Sequence, residues 1–424
     1  MKKIEFENTK ETLMIERLEN GFTIYMLPME SRFNTYVTLT TKFGSVDTSF
    51  VPFDKNKMEN FPSGIAHFLE HMAFASDSEE DPFEFFSKKG VNANANTSFF
   101  RTVYEIYGSA DMCECAVYML DFVLSPYFND EIIEKEKGII SEEINHYEDD
   151  SNWQEYKGVF KNAFNTHPIK NSILGSLSDI NTITSENLYD CFNTFYNPSN
   201  MFMVITGSFK WEEMISKIKE YFKDKSYSKN NKIKVNDYKE DDKVANKYEC
   251  ICMPIITTKL SYNFKIPTDN FKVDQRKLDY YFAIIFSSLF GETSLFLENM
   301  RNQKYVIGDI TVENESTPSH ALVSLSCDTY NKDRLIESID KYIKKINVSK
   351  EEFERKKKTI MNMTVSSFDN IIAANDYIKE GIIKYGNVET NMTSFMASMT
   401  HKELLEIIDK LNLDNKTIFV TEKE

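Results

Sequence analysis

The order of apolar and polar positions changes period several times along the 424 residues, and each change marks an element. Residues 21–42 (GFTIYMLPMESRFNTYVTLTTK) carry β-branched and aromatic residues in short runs between turn residues, which predicts two strands. From Pro62-Ser63 the spacing turns helical. Ile65, Ala66, Phe68, Leu69, Met72 and Ala73 make too continuous an apolar surface for a solvated helix, so this one is expected to be buried. Asp81-Pro82 supply an N-cap and a first helical position for a second helix over 83–87, closed by Gly90. Residues 94–107 read as extended chain with a break near Phe100. Helices follow over 111–124, 129–149, 151–164 and 184–196, then an apolar strand from Met201 to Thr206 ended by Gly207.

A stretch of Lys, Asn, Asp and Ser at 224–246 has almost no apolar periodicity and reads as a linker. The expected division is therefore 1–223, linker 224–246, and 247–424. Beyond the linker the coarse order repeats: strands near 249–266, a long helix over 274–303, strands near 305–329, helices through 331–410, and a last strand from Thr417 to Thr421. A repeat in order without a repeat in letters predicts an α+β fold of two homologous domains, each a mostly antiparallel sheet packed by helices.

Composition narrows the function classes. With 27% charged residues, 13 Gly and 10 Pro, collagen-like and low-complexity chains are excluded. No apolar run approaches the roughly 18 residues of a membrane span, so no membrane partner is expected. The net charge of −16 repels phosphate backbones, which argues against nucleic acid and permits basic peptides. Lys2 and Lys3 precede no apolar segment of the secretory kind, and six scattered cysteines form no disulfide framework, so the expected location is the cytoplasm. Cys113-Glu-Cys115 and Cys250-Ile-Cys252 have one-residue gaps unlike zinc knuckles, and buried structural thiols are expected there.

The buried helix carries the chemistry. His67-Phe-Leu-Glu70-His71 places two imidazoles at i and i+4, one above the other on one helix face, with a carboxylate beside them. Two such imidazoles suit one zinc ion, and Glu70 is placed to act as general base on water. Without a metal or a shared proton, these groups on an apolar helix would be costly to bury. A catalytic site needs a third protein ligand. The acidic helix over 129–149 offers Glu136 and Glu143, seven apart on a face shared with Ile139, Ile140 and Tyr147, whereas Glu142 points about 100° away toward solvent.

These residues resemble the inverzincin peptidases, in which the motif order is His-x-x-Glu-His: the pitrilysin, insulin-degrading enzyme and mitochondrial processing peptidase group, and most of all its small bacterial two-domain members. Leu18-Glu-Asn-Gly21 matches the family's first strand entry. Gly90-Val-Asn-Ala-Asn94-Ala-Asn-Thr97 with Arg101-Thr-Val-Tyr104 is similar to its substrate-binding edge strand, and 136–144 to the helix bearing its third ligand. His167-Pro168 with Gly175, and 196–201 with Gly207, resemble further segments, so the match covers about the first 210 residues. The resemblance implies that His67, His71 and Glu143 hold one Zn2+ per chain. It implies Glu70 as general base, Glu136 as a supporting carboxylate of the catalytic site, and Asn94, Ala95, Asn96, Thr97 and Ser98 as the strand that pairs with substrate. Glu143 lies 143 − 71 = 72 residues after the second histidine, close to the family's usual separation.

The second half departs from the pattern. The family's Arg and Tyr, which face the substrate carbonyl, correspond to Arg301 and Tyr305 in 293–305, but Tyr305 comes early and the glycine expected before it is missing. The resemblance implies a zinc endopeptidase that cleaves peptides or unfolded segments, such as a leader, inside a clamshell chamber. Because the larger members close that chamber with four such domains, it also implies a homodimer or a heterodimer with a related chain. The alternative is a non-catalytic or partner-dependent peptide-binding subunit. A purely structural zinc is disfavoured, since such sites close with four ligands and favour Cys.

Overall fold

The computed structural model describes residues 1–75, 81–227 and 233–424, and these form two compact units. The first comprises 1–145, 172–237 and 363–392; the second comprises 146–171, 238–362 and 393–424.

The strands of the first unit are β1 (Lys2–Glu5), β2 (Thr12–Arg17), β3 (Thr23–Pro28), β4 (Thr35–Thr41), the short pair β5 (Ser49–Phe50) and β6 (Glu59–Asn60), β7 (Asn92–Thr97), β8 (Thr102–Gly108) and β9 (Met201–Gly207). Those of the second are β10 (Tyr248–Met253), β11 (Thr258–Pro267), β12 (Val306–Ser316), β13 (His320–Thr329) and β14 (Lys416–Lys423). The helices, in chain order, are α1 (Ile65–Phe74), α2 (Pro82–Lys88), α3 (Met112–Val123), α4 (Asp130–Glu148), α5 (Ser151–Ala163), α6 (Leu177–Thr182), α7 (Ser185–Phe195) and α8 (Trp211–Lys223). They continue as α9 (Gln275–Phe290), α10 (Leu295–Asn302), α11 (Lys332–Tyr342), α12 (Lys350–Ser367), α13 (Ile371–Tyr385), α14 (Met392–Ser398) and α15 (His401–Ile408).

The first sheet runs β1-β2-β3-β9-β4-β8-β7 and the second β10-β14-β11-β13-β12. In each, the last strand in sequence inserts parallel to the first member of a shared five-strand pattern, and every other pairing in the pattern is antiparallel. The two α+β units thus share one topology, to which the first adds β1 and β2. In both patterns the third strand in sequence, β7 or β12, is an edge.

The units do not follow the sequential division at 224–246. The last third of the chain contributes α13 to the first unit: Ala374 and Ile378 pack with Leu27, Tyr36, Phe202 and Val204. Asn375 satisfies the polar part of this contact, accepting from Thr38 Oγ1 at 2.8 Å and donating to the Val204 carbonyl at 3.0 Å. The physical reason is that β4 and β9 are buried along their whole length, so both faces need covering. Conversely α5, from the first half, covers the second sheet, where Gly158 lies so close to Phe419 that a Cβ would meet its ring at 2.1 Å. The described part of the polar segment is pinned rather than loose. Val51 N donates to Lys234 O, and Glu240 accepts from the backbone N–H groups of Asn165, Thr166 and His167 at 2.7–2.8 Å and from Lys265 Nζ at 2.6 Å. Residues 228–232 of that segment lie outside the described residues.

Two further expectations are corrected. The long helix over 274–303 is broken into α9 and α10 at 291–294, where Ser294 caps the second helix. This stretch has an 18-residue window of mean hydropathy 1.3, of which 56% is buried, and it forms the core helices of its unit. Cys250 and Cys252 are exposed on the edge strand β10, whereas Cys113 and Cys115 are buried as expected.

Helix α1 begins at a close approach of two backbones. Gly64 is its N-cap, with φ of 85°, and a Cβ there would lie 2.4 Å from the Leu174 carbonyl oxygen. Gly175 (φ +78°) meets the Ser63 carbonyl in the same way. Gly64→Ala should therefore lose about 2–4 kcal/mol, combining left-handed strain with overpacking. Gly90→Ala, with φ +66° and nothing within 4 Å, should lose about 1 kcal/mol. Urea midpoints of the two variants check this; equal shifts would remove the close approach as the reason for glycine at 64.

Candidate metal centre

Three elements of the first unit converge. Helix α1 carries His67, Glu70 and His71 among Ile65, Ala66, Phe68, Leu69 and Met72, all of them buried except His71, which is partly so. Helix α4 buries Ile133, Glu136, Ile140 and Ile144 on one stripe and sets Glu143 at its margin. Ile139, expected on that inward face, is 44% exposed, because the stripe follows 133, 136, 140 and 144. Glu142 is exposed. Strand β7 supplies the third side of the site.

The ligand atoms of His67, His71 and Glu143 lie within 4.8 Å of one another. Glu143 Oε2 is 3.7 Å from His67 Nε2 and 3.4 Å from His71 Nε2. On the far side of the second ring, His71 Nδ1 meets Glu136 Oε1 at 2.7 Å. Glu136 thereby fixes the orientation of the ring, with Nε2 facing Glu143. Thr97 Oγ1 donates to Glu70 Oε2 at 2.5 Å.

The protonation pattern follows from burial and pairing. Burial, with His71 adding to it, holds His67 down to about 4 against the pull of Glu143, so its imidazole is neutral at neutral pH. Burial acts on His71 in the same direction, but the flanking carboxylates of Glu136 and Glu143 outweigh it and carry His71 up to about 9. The neighbouring His71 ring keeps Glu143 below its ordinary value. Burial pushes Glu70 up to about 7, with Thr97 opposing. The carboxylates around His71 thus favour one positive charge between them, which a bound cation would supply instead.

The residues fit a zinc ion. Glu143 Oε2 is buried with no hydrogen-bond partner while two imidazole Nε2 atoms face it, a donor set that suits a cation. Two His and one Glu are also the ligand set of an open, catalytic zinc site rather than a closed structural one.

The remaining predicted residues fall differently. Asn94, Ala95, Asn96 and Thr97 lie on the edge strand β7. Ser98 does not: it sits in the hairpin turn, its N–H donating to Arg101 O at 2.8 Å and its carbonyl accepting from Ser45 N at 3.0 Å, so neither backbone group is free to pair with substrate. Arg301 belongs to the second unit, where Nε donates to the Gly308 carbonyl at 2.7 Å and the guanidinium pairs with Asp309. Tyr305 precedes β12, its carbonyl accepting from Thr329 Oγ1. Thr97 as the partner of Glu70 was missed; the signal was the alternation that puts Ala93, Ala95 and Thr97 on one face of β7.

Comparison with known proteins gives a consistent picture. Residues 58–177 match the family described as Insulinase (Peptidase family M16), and residues 182–360 the one described as Peptidase M16 inactive domain. The chain is 33% identical over 428 residues to the "Uncharacterized zinc protease YmfH" of Bacillus subtilis, covering 99% of this chain and 98% of that one. It is 27% identical to human mitochondrial-processing peptidase subunit beta over 168 residues, 38% of this chain and 34% of that protein. The crystal structure of an M16-like peptidase from Alicyclobacillus acidocaldarius matches with a TM-score of 0.91 at 27% identity, over 98% of this chain and 99% of the other. Pitrilysin shares the fold at a TM-score of 0.74 and 16% identity, over 99% of this chain and 46% of its own length.

Replacing Glu136 by Ala should weaken zinc binding by about 10- to 100-fold through loss of the His71 support, and Glu142→Ala should leave it unchanged. Competition against a chromophoric chelator reads both; equal affinities in the two variants would remove Glu136 from the site.

Proposed function

The chain belongs to peptidase family M16, and from that premise we propose that it is a zinc-dependent endopeptidase acting on peptides or unfolded segments. The observation that carries this reading is the convergence of both Nε2 atoms on an unpartnered Glu143 Oε2, with the Glu70 carboxylate held beside them. His67, His71 and Glu143 would hold the zinc, which when bound supplies Lewis-acid polarisation of a peptide carbonyl and of water.

The chain's own groups do the rest. Glu70 is buried, and Thr97 occupies one of its oxygens, leaving Oε1 to accept a proton from the attacking water and return it to the leaving amine. Glu136 keeps the proton of His71 on Nδ1. Because Ser98 and Arg101 are hydrogen-bonded across the hairpin, antiparallel alternation turns the backbone groups of Ala93, Ala95 and Thr97 toward the open edge of β7. A peptide adding there as a strand is held through its backbone, which suits an enzyme of broad sequence range.

Substrate class, assembly and location extend the same reading. The net charge of −16, together with Glu155, Glu313 and Glu315 lining one cleft of the second unit beside Asp309 and Asp328, which pair with Arg301 and Lys259, favours basic segments such as leader peptides. The chain spans about half the length of pitrilysin, which supports a working enzyme of two chains, identical or related. The six cysteines are unpaired, in keeping with the cytoplasm. One observation favours a second reading, a chain that binds zinc and peptide but turns over only with a partner. Arg301, the group expected to meet the substrate carbonyl, is engaged with Asp309 and Gly308.

Glu70→Gln should lower kcat/KM on unfolded peptides by about 100-fold or more while one zinc per chain is retained. Cleavage by this variant at the parent rate would refute the mechanism. Full zinc content with turnover appearing only after a related chain is added would select the second reading.

A further inference from the structure

We propose that Thr97 is a positioning residue for the general base, coupling the peptide-binding edge strand to Glu70; this rests on the reading of Glu70 given above. Its hydroxyl has two neighbours, Glu70 Oε2 at 2.5 Å and Thr102 Oγ1 at 3.3 Å. Thr102 donates its own proton to the Phe43 carbonyl at 3.0 Å. The Thr97 proton therefore goes to the carboxylate, the nearer and more strongly accepting of the two. Among the described residues, Thr97 is the one side chain that hydrogen-bonds Glu70.

A buried carboxylate on a flexible two-methylene stem has several rotamers, and one hydrogen bond to a rigid strand selects among them. Oε2 is tied to β7, so Oε1 is the oxygen free to act. The stiffness comes from both sides. Thr97 is cross-strand partner to Thr102 in the β7–β8 hairpin, and Thr102 is fully buried and anchored to Phe43. The same residue turns its backbone to the open edge and its hydroxyl to the base, so a peptide added along β7 is registered against Glu70 through a single residue. The β-branched side chain assists, since Thr is restricted at χ1 in a strand.

The test compares Thr97→Val, which keeps the shape and removes the hydroxyl, with Thr97→Ser, which keeps the hydroxyl. All variants are assayed in whichever form of the protein cleaves peptide, alone or with its partner chain. Thr97→Val should lower kcat by about 10- to 100-fold with KM within about threefold, and Thr97→Ser should stay within about threefold of the parent. Zinc content should be unchanged. Peptide affinity, measured by fluorescence anisotropy in the Glu70→Gln background, should also be unchanged by Thr97→Val. If Thr97→Val loses zinc or unfolds, Thr97→Ala against Thr97→Ser isolates the one oxygen and should show the same kcat ratio. An unaltered kcat in the hydroxyl-free variants while Glu70→Gln is inactive overturns the proposal, as does a loss confined to KM and affinity, or a serine variant as slow as the valine one. Glu70→Gln as active as the parent instead overturns the underlying reading of the base.

Discussion

Two imidazoles and three carboxylates share a largely buried space beside the first sheet, and the cost of crowding them there organises what surrounds them. An isolated charge in such a place costs several kcal/mol, far more than a helix of ten residues recovers from its propensity. Two of the groups are given partners from other elements. Glu136 of α4 takes His71 Nδ1, and Thr97 of β7 takes one oxygen of Glu70. What remains is Glu143 Oε2 without a hydrogen-bond partner, the two imidazole Nε2 atoms aimed at it, and His67 Nδ1, also buried without one. A cation held between the two Nε2 atoms and Glu143 Oε2 would satisfy those three atoms at once.

Holding those partners in place is the work of the fold. The start of α1 is fixed by the backbone contact of Gly64 with Leu174, β7 is held by its hairpin with β8, and α4 presses an isoleucine stripe inward beside its glutamates. The exchange of helices between the halves serves the same end. Strands β4 and β9 need cover on both faces, and α13, which follows them by more than 150 residues, supplies it through Ala374 and Ile378 while Asn375 answers the polar groups of Thr38 and Val204. A chain built this way ties a distant segment to the sheet that carries the site.

The legible parts of the sequence were those in which a few neighbouring residues decide the outcome. His67, Glu70 and His71 lie within five residues, so helical geometry alone puts them together. The strand near 201–207 and the break near Phe100 were read from composition and turn chemistry, and β7, β8 and β9 lie where that reading puts them. The parts decided by tertiary contact were not legible. Nothing local distinguishes α13 from the other late helices, and the role of Thr97 depends on which helix its strand faces. Ser98 looked like strand until its carbonyl found Ser45, and Arg301 matched a motif while its guanidinium was committed to Asp309. The break at 291–294 falls in a segment whose apolar pattern runs almost unbroken across it, so a cap signal at Ser294 was outweighed.

The central claim is that one zinc ion is held by two imidazoles and a carboxylate on α1 and α4. X-ray absorption at the zinc edge, on the chain loaded with one equivalent, tests it most directly. The account predicts a shell of nitrogen and oxygen at about 2.0–2.2 Å, with outer scattering from two imidazoles that falls to one in His71→Ala. A sulfur shell near 2.3 Å, or the same spectrum in parent and variant, would contradict it.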